Sequence, residues 1–304
     1  MISKENELFC YTLHDDFAVI ESVKEDFPVV EFPKMLEGVP VTELGAYVLS
    51  GKNCEEVYIP EGIKKIGRYG FYNCRNLRKL SFSSDFVDIG SGTFTGCHHI
   101  REIEVLMKQE ETCLREVLLE VPEEVCVKLV WNNETENDIN YKEAVLWFPE
   151  FFEENVENTP ARILSVRTHG SGMFYRYSFK GKVFQFQEYD KCFEKACVFD
   201  KEKLQMELVY GRLLTPVELG EKYKEIYEAF VREKKNSMAK AWIMEKREDA
   251  LEWLLKNYPH GKEEQDAYQE ILECASKHGT TSMVSSLVDY GRKLFPPKRK
   301  SFDL

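Results

Sequence analysis

From Gly51 to Val105 the apolar positions of the chain recur at one fixed interval. Cys54, Leu77 and Ile100 share one column, and Val57, Leu80 and Ile103 share another. Ile59, Phe82 and Val105 follow, then Ile66-Gly67 and Ile89-Gly90, then Phe71 and Phe94, then Cys74 and Cys97. A period held this strictly, at about 23 residues, predicts a solenoid, in which one coil buries its face only against the next. The consensus Leu-x-x-Ile-x-Ile-Pro-x-x-(Val/Ile)-x-x-Ile-Gly-x-x-x-Phe-x-x-Cys divides each coil into a short strand, a turn, a second extended piece and a turn at Phe-x-x-Cys. The glycine of Ile-Gly is expected to adopt a backbone angle that other residues avoid. Glu56, Tyr58, Lys79, Ser81, Glu102 and Glu104 alternate with the buried columns, so they should line the exposed strand face as candidate binding residues.

Upstream, Phe9, Tyr11 and Leu13, then Ala18 and Ile20, alternate around His14-Asp15-Asp16, which predicts a hairpin over 8–23 covering the first coil. Val30-x-Phe32-Pro33 matches Val57-x-Ile59-Pro60, so the repeat starts near Val29, with a first coil one residue short. Past Val105 the pattern breaks. Leu114, Val117 and Leu118 have helical spacing and Val125–Val130 reads as a strand, a unit that closes a compact wedge of about three coils. The polar run from Asn132 to Asn140 predicts a loop.

The next segment is the most aromatic. Ala144–Phe148 is a short apolar run, Phe151–Glu157 suggests a turn of helix, and Ile163–Thr168 alternates as a strand. His169-Gly170-Ser171-Gly172 predicts a turn, Phe174–Phe179 the returning strand, Val183–Phe186 a third strand, and Glu188–Ala196 a helix. Thr215-Pro216-Val217-Glu218 has the form of a capping box opening a helix with Leu219, Tyr223, Ile226, Tyr227 and Phe230 on one face. A second repeat follows. Met238-Ala239-x-Ala241-Trp242 aligns with Ile271-Leu272-x-Cys274-Ala275, and Ala250-Leu251-x-x-Leu254-Leu255 aligns at the same offset with Met283-Val284-x-x-Leu287-Val288. Two helices per repeat of about 33 residues is the ankyrin period.

Tyr58-Ile59-Pro60-Glu61-Gly62-Ile63-Lys64-Lys65-Ile66-Gly67, Gly70-Phe71-Tyr72-Asn73-Cys74-Arg75-Asn76-Leu77 and Gly92-Thr93-Phe94-Thr95-Gly96-Cys97 resemble the BspA-type leucine-rich repeat of bacteria and protists. The resemblance implies a curved parallel stack with a protein-binding role and no enzyme activity, often on secreted or surface proteins. The run Ile271–Gly279 with Met283-Val284-x-x-Leu287-Val288 resembles an ankyrin helix pair, although the Thr-Pro-Leu-His signature is missing.

Charge and cysteine content narrow the classes. The 41 Lys and Arg against 53 Asp and Glu leave a net charge of −12, which argues against nucleic-acid binding. Nine cysteines without paired CxxC spacing argue against zinc, and free thiols suit a reducing compartment. The adjacent His98 and His99 cannot both face one ion from an extended loop. The opening residues carry no basic region ahead of an apolar run, and no uninterrupted apolar stretch is long enough to cross a membrane. These features lead to the expectation of a cytoplasmic chain, with surface adhesion the alternative if a leader has been removed.

His169 beside Ser171 invites a hydrolase reading, but Gly-x-Ser-x-Gly is absent and residues on a tight turn diverge. Gly170 and Gly172 could cradle an anion, with Arg167 and Arg176 nearby. Tyr175, Arg176 and Tyr177, if exposed, have the composition of an interaction hot spot. The sequence thus predicts an α/β protein: a capped leucine-rich-repeat solenoid at 1–131, an aromatic α+β segment at 141–200, a helical, ankyrin-like region at 201–296 and a basic tail at 297–304. The function expected is a non-enzymatic scaffold that binds another protein, without cofactor or metal. The alternative is a small-ligand, anion or enzymatic site around 167–177.

Overall fold

The computed structural model describes residues 1–135, 138–158 and 163–295; the basic tail, 297–304, lies outside them. The described residues fall into two compact units, Met1–Gly220 and Glu221–Leu304. The chain opens with β1 (Ile2–Glu5), β2 (Phe9–Leu13) and β3 (Ala18–Val23), and continues through β4 (Val29–Glu31), β5 (Met35–Leu36), β6 (Val39–Leu44), β7 (Glu56–Ile59), β8 (Lys65–Ile66), β9 (Lys79–Ser83), β10 (Asp88–Ile89) and β11 (Glu102–Leu106). α1 (Leu114–Glu120) precedes β12 (Val125–Thr135) and β13 (Asp138–Phe148).

Two sheets enclose the solenoid core. One runs β1-β2-β3-β6-β8-β10, with β5 paired to β6; the other runs β13-β12-β11-β9-β7-β4. The N-terminal hairpin is a cap by continuation, because β3 pairs parallel with β6 and supplies the first rung of its sheet. In the second sheet β4, β7, β9, β11 and β12 are all parallel, so five rungs stack where the motif shows about three coils. Of the outer rungs, β4 still carries Val30-x-Phe32-Pro33, whereas β12 keeps the hydrogen-bond register while losing the consensus. The columns read from sequence form the core: Cys54, Val57, Ile66, Phe71, Cys74, Leu77, Leu80, Ile100 and Val105 are buried.

The Ile-Gly glycines are required for a reason other than the one expected. Positive φ falls instead on Tyr47, Tyr69 and Gly92 (61°, 57° and 71°) and, four positions on, on Gly51, Asn73 and Gly96 (73°, 58° and 86°). At Gly67 the constraint is stacking distance: a Cβ there would stand 2.5 Å from the backbone N of Ala46, and one on Gly90 closer still to that of Arg68. Side-chain-free backbone lets one coil lie directly on the next. The Phe-x-x-Cys turns are joined by backbone bonds between coils, Tyr69 N to Ser91 O at 3.1 Å and Phe71 N to Thr93 O at 3.0 Å. Cys74 and Cys97 donate their thiols to Leu49 O and Phe71 O, each at 3.0 Å. The neighbouring thiols of Cys54 and Cys97, together with burial, push the Cys74 thiol well up from its ordinary value, so it stays protonated.

The last turn has no following coil to accept its bonds. Glu120, at the end of α1, takes their place: its carboxylate accepts from Gly92 N and Phe94 N, both at 2.8 Å. One side chain thus replaces the two backbone carbonyls that a further coil would present.

The described residues of the polar run read as a loop over 132–140 are instead paired backbone at the far end of β12 and β13, from Asn132 opposite Tyr141 to Thr135 opposite Asp138. Beyond it come β14 (Phe152–Asn158) and β15 (Ile163–His169), α2 (Gly172–Arg176), β16 (Phe179–Lys180), β17 (Val183–Phe184), α3 (Phe186–Lys191), α4 (Phe193–Phe199) and α5 (Glu202–Leu214). Two expectations fail here. Phe152–Asn158 is a strand because it pairs with β15, and Gly172–Arg176 is helical rather than a returning strand. The helix lets the consecutive residues Tyr175 and Arg176 both be buried, whereas a half-buried strand sends neighbours to opposite faces.

The free edge of β13 is closed by side chains from the helices. Val145 N donates to Thr215 Oγ1 at 2.8 Å, and the Tyr189 hydroxyl donates to Trp147 O at 2.6 Å. Gly211 permits the approach of α5, since a Cβ there would lie 2.7 Å from Val145 O. Thr215 therefore ends α5 and covers the sheet edge; it does not open a helix, and the next one begins at Glu221.

The second unit holds α6 (Glu221–Met244), α7 (Glu248–Asn257), α8 (Gln265–His278) and α9 (Thr281–Leu294). Met238, Trp242, Ala250, Leu254, Ile271, Ala275, Met283 and Leu287 form its core, all at columns of the second repeat. On α6, Tyr227 is buried while Tyr223, Ile226 and Phe230 are half-buried. Gly279 ends α8, and the Thr280 hydroxyl caps α9 by accepting from Met283 N at 3.2 Å.

Candidate functional site

The rungs β4 to β12 carry a continuous outward face. Strand register sets Glu56 opposite Lys79 and Lys79 opposite Glu102, and in the next row Glu31, Tyr58, Ser81, Glu104 and Lys128. All six strand residues named from the sequence therefore come together in two adjoining rows. The Tyr58 hydroxyl donates to Glu56 at 2.6 Å, and Lys79 Nζ lies 5.6 Å from the centre of the Tyr58 ring. The Glu56 bond, burial and the carboxylates of Glu56, Glu104 and Glu31 push the Tyr58 phenol up to about 12. It therefore remains a hydrogen-bond donor across the neutral range.

An open cleft of about 720 Å³ runs along this face, bordered by Glu31, Tyr58, Ser81, Glu104 and Asn132. At one end Glu61 binds Lys34 at 2.6 Å and Lys108 at 3.5 Å, and the two cations hold its carboxyl below the usual range. Glu31 escaped the reading of the motif, although the match of Val30-x-Phe32-Pro33 to Val57-x-Ile59-Pro60 sets it opposite Tyr58. Lys108 carries no such signal, because it lies beyond the last matching column.

The residues named around 167–177 do not form a site. Arg167 is exposed on β15, opposite Glu154. His169 stacks on Phe152 at 4.5 Å between ring centres and places Nε2 3.0 Å from Glu154. Ser171 is buried, and its hydroxyl and backbone N both donate to Asp200, whose carboxyl burial pushes up against the opposing effect of those bonds. The cleft of about 480 Å³ beside His169 is lined by Glu124, Glu150, Asp200 and Lys201 among others, and by neither arginine. Tyr177 is exposed, with the Arg115 guanidinium over its ring, but Tyr175 is buried with its ring centre 4.7 Å from that of Tyr189.

Arg176 is fully buried and every nitrogen of its guanidinium is used by backbone. Nε reaches Leu118 O at 2.8 Å, Nη1 reaches Pro149 O and Gly172 O, and Nη2 reaches Val121 O at 2.7 Å and Glu123 O at 2.8 Å. Leu118 O belongs to the last turn of α1, whose carbonyls lack partners within the helix. The cation also complements the negative end of the helix dipole. Burial lowers its pKa to about 9, opposed by Glu123, which leaves it charged at neutral pH. Arg176 is a structural staple joining α1, the loop after β13 and α2, and has no donor left for an anion.

His98 and His99 also separate, with His98 Nδ1 at 2.8 Å from Glu123 and His99 Nδ1 at 2.6 Å from Arg75 O. Among the described residues no group of three His, Cys, Asp or Glu side chains is placed to hold a metal ion, and no helix is long and apolar enough to cross a membrane. No disulfide joins any of the nine cysteines.

No curated protein matches the chain. Among solved structures it is similar to a leucine-rich repeat protein from Bacteroides capillosus, with 22% identity, a TM-score of 0.32 and coverage of 34% of this chain and 80% of that one. It is also similar to a leucine rich cell surface protein from Faecalibacterium prausnitzii, with 18% identity, a TM-score of 0.29 and coverage of 34% of this chain and 37% of that one. The family model for the BspA type leucine rich repeat region, in six copies, matches residues 36–115. Over residues 36–115 the chain is a BspA type leucine-rich repeat solenoid.

Proposed function

We propose that this protein binds another protein through the outward face of its parallel sheet and performs no chemistry there. The observation carrying this reading is the pair of adjoining rows, Glu56–Lys79–Glu102 and Tyr58–Ser81–Glu104, bordering an open cleft on a backbone fixed by five stacked rungs. Alternating charges around a half-buried tyrosine give directional contacts on a surface that needs little reordering to bind. The leucine-rich repeat family supports a binding role over catalysis. We place the protein in the cytoplasm because nine cysteines without a disulfide suit a reducing compartment. We read α6 to α9 as an ankyrin-like pair of helical hairpins, supported by the burial of Met238 with Ile271, and of Ala250 with Met283, at matching columns.

The test is affinity capture from a lysate by the wild-type chain and by the double variant Glu102→Lys/Glu104→Lys, with bound proteins identified by mass spectrometry. A partner held by the wild type and lost by the variant supports the proposal. Identical captures from both chains, or none from either, overturn it.

A further inference from the structure

We propose that the outer edge of β4 is a docking site for an extended, basic peptide that joins the sheet as an additional strand. The sheet β13-β12-β11-β9-β7-β4 has two ends, and the protein treats them differently. At β13 the side chains of Thr215 and Tyr189 occupy the edge. At the other end, the N-terminal hairpin continues the neighbouring sheet through β3 and leaves β4 as the last strand of its own.

The direction of the free groups follows from the pairing. Pro28 O accepts from Glu56 N at 3.0 Å and Phe32 N donates to Tyr58 O at 3.1 Å, so residues 28, 30 and 32 turn their backbone toward β7. Alternation turns the N–H and C=O of Val29 and Glu31 outward. Beside this edge lies an open, mainly apolar notch of about 310 Å³ lined by Leu8, Phe9, Phe27, Val29 and Val30. Leu8 and Val29 are 44% and 46% exposed, so apolar surface and open backbone groups coincide. That combination is what strand addition uses: main-chain bonds supply affinity and a pocket selects a side chain.

Charge selects the occupant. Glu31 lines the notch and is exposed, and Glu25 and Asp26, exposed as well, immediately precede its Phe27, with Asp26 accepting from Asn53 N at 3.2 Å. The nearby cations already have partners: Lys24 lies 3.3 Å from Glu5, Lys34 binds Glu61 at 2.6 Å, and Lys52 donates to Lys24 O at 2.9 Å. A second copy of the chain would bring a second set of these carboxylates against the first, whereas alternating lysine and apolar residues complement both features. Glu31 also borders the cleft on the sheet face, so a docked strand would continue that surface.

The experiment titrates the full chain with a fluorescently labelled, blocked nonapeptide of alternating lysine and valine and follows anisotropy. Two control peptides carry glutamate for lysine, or N-methyl groups on the five central positions. Saturable binding is expected for the basic peptide, at least tenfold weaker binding for each control, and at least tenfold weaker binding to Val29→Pro, which removes an outward-facing N–H at a position where edge strands tolerate proline. Circular dichroism checks that this variant is folded; if it is not, the N-methylated peptide against the wild type decides. Absence of saturation, or equal binding of either control peptide, would overturn the proposal.

Discussion

Replacing Arg176 with methionine removes the donors to five backbone carbonyls while keeping much of the side-chain volume. Exchanging a buried ion for an apolar residue is often neutral when its partners are replaced with it. Here the partners are main-chain carbonyls of Leu118, Val121, Glu123, Pro149 and Gly172, which remain in place. Each stranded carbonyl costs about 1 kcal/mol at the low end, a gross loss of about 5 kcal/mol. Relief from burying a cation returns part of this, which leaves a net loss of about 3 kcal/mol. Against the roughly 5–15 kcal/mol that holds a folded domain, this is a large fraction. Arg176→Lys keeps the charge but offers three donors on a point charge in place of a planar fork, so about half the loss is expected. Urea unfolding followed by far-ultraviolet circular dichroism measures both variants. A methionine variant with the wild-type midpoint and slope would refute the staple role and reopen Arg176 as a group available to ligands.

Three further expectations concern the solenoid itself. Glu120→Ala should destabilise the first unit by about 2–4 kcal/mol, because the carboxylate makes two charge-assisted bonds to backbone N–H groups with no other coil to meet them. Hydrogen exchange should speed up first at Gly92 and Phe94, and unchanged protection there would contradict the capping role. Gly90→Ala should cost about 3 kcal/mol or abolish folding, because its Cβ would press on the backbone of Arg68, which cannot yield without parting two coils. Gly62→Ala should cost only about 1–2 kcal/mol, since it has open space and φ of 95°; equal thermal shifts for the two variants would remove the distinction between crowding and backbone angle.

Only Gly90 of those two glycines stands in the Ile-Gly column, yet its position in the repeat does not show that crowding rather than backbone angle requires it. The spacing read the coils correctly because every column meets its own equivalent one period on, as Val57 meets Leu80 and Leu80 meets Ile103. The same register sets the two outward rows, so the candidate face is legible in the sequence. Phe152–Asn158 misled because its partner strand, not its own pattern, makes it a strand. Gly172–Arg176 misled because alternation is a weak guide where two neighbours are both buried.

The sequence alone determined the repeat, its core columns, its outward rows and the matched columns of the last helices. All are short-range periodic constraints, since a stacked element must satisfy the same environment once per coil. Tertiary structure alone decided which side chains satisfy the ends of the stack. Glu120 stands in for a missing coil 28 residues away, and Arg176 binds carbonyls 53 to 58 residues upstream of it, in α1 and just before β12. Thr215 closes an edge 70 residues away. Each of these contacts occurs once, between positions with no period to relate them, so nothing in the local pattern records them. The termination of a repeat is aperiodic by nature, and there three-dimensional packing chooses which side chain satisfies the exposed backbone.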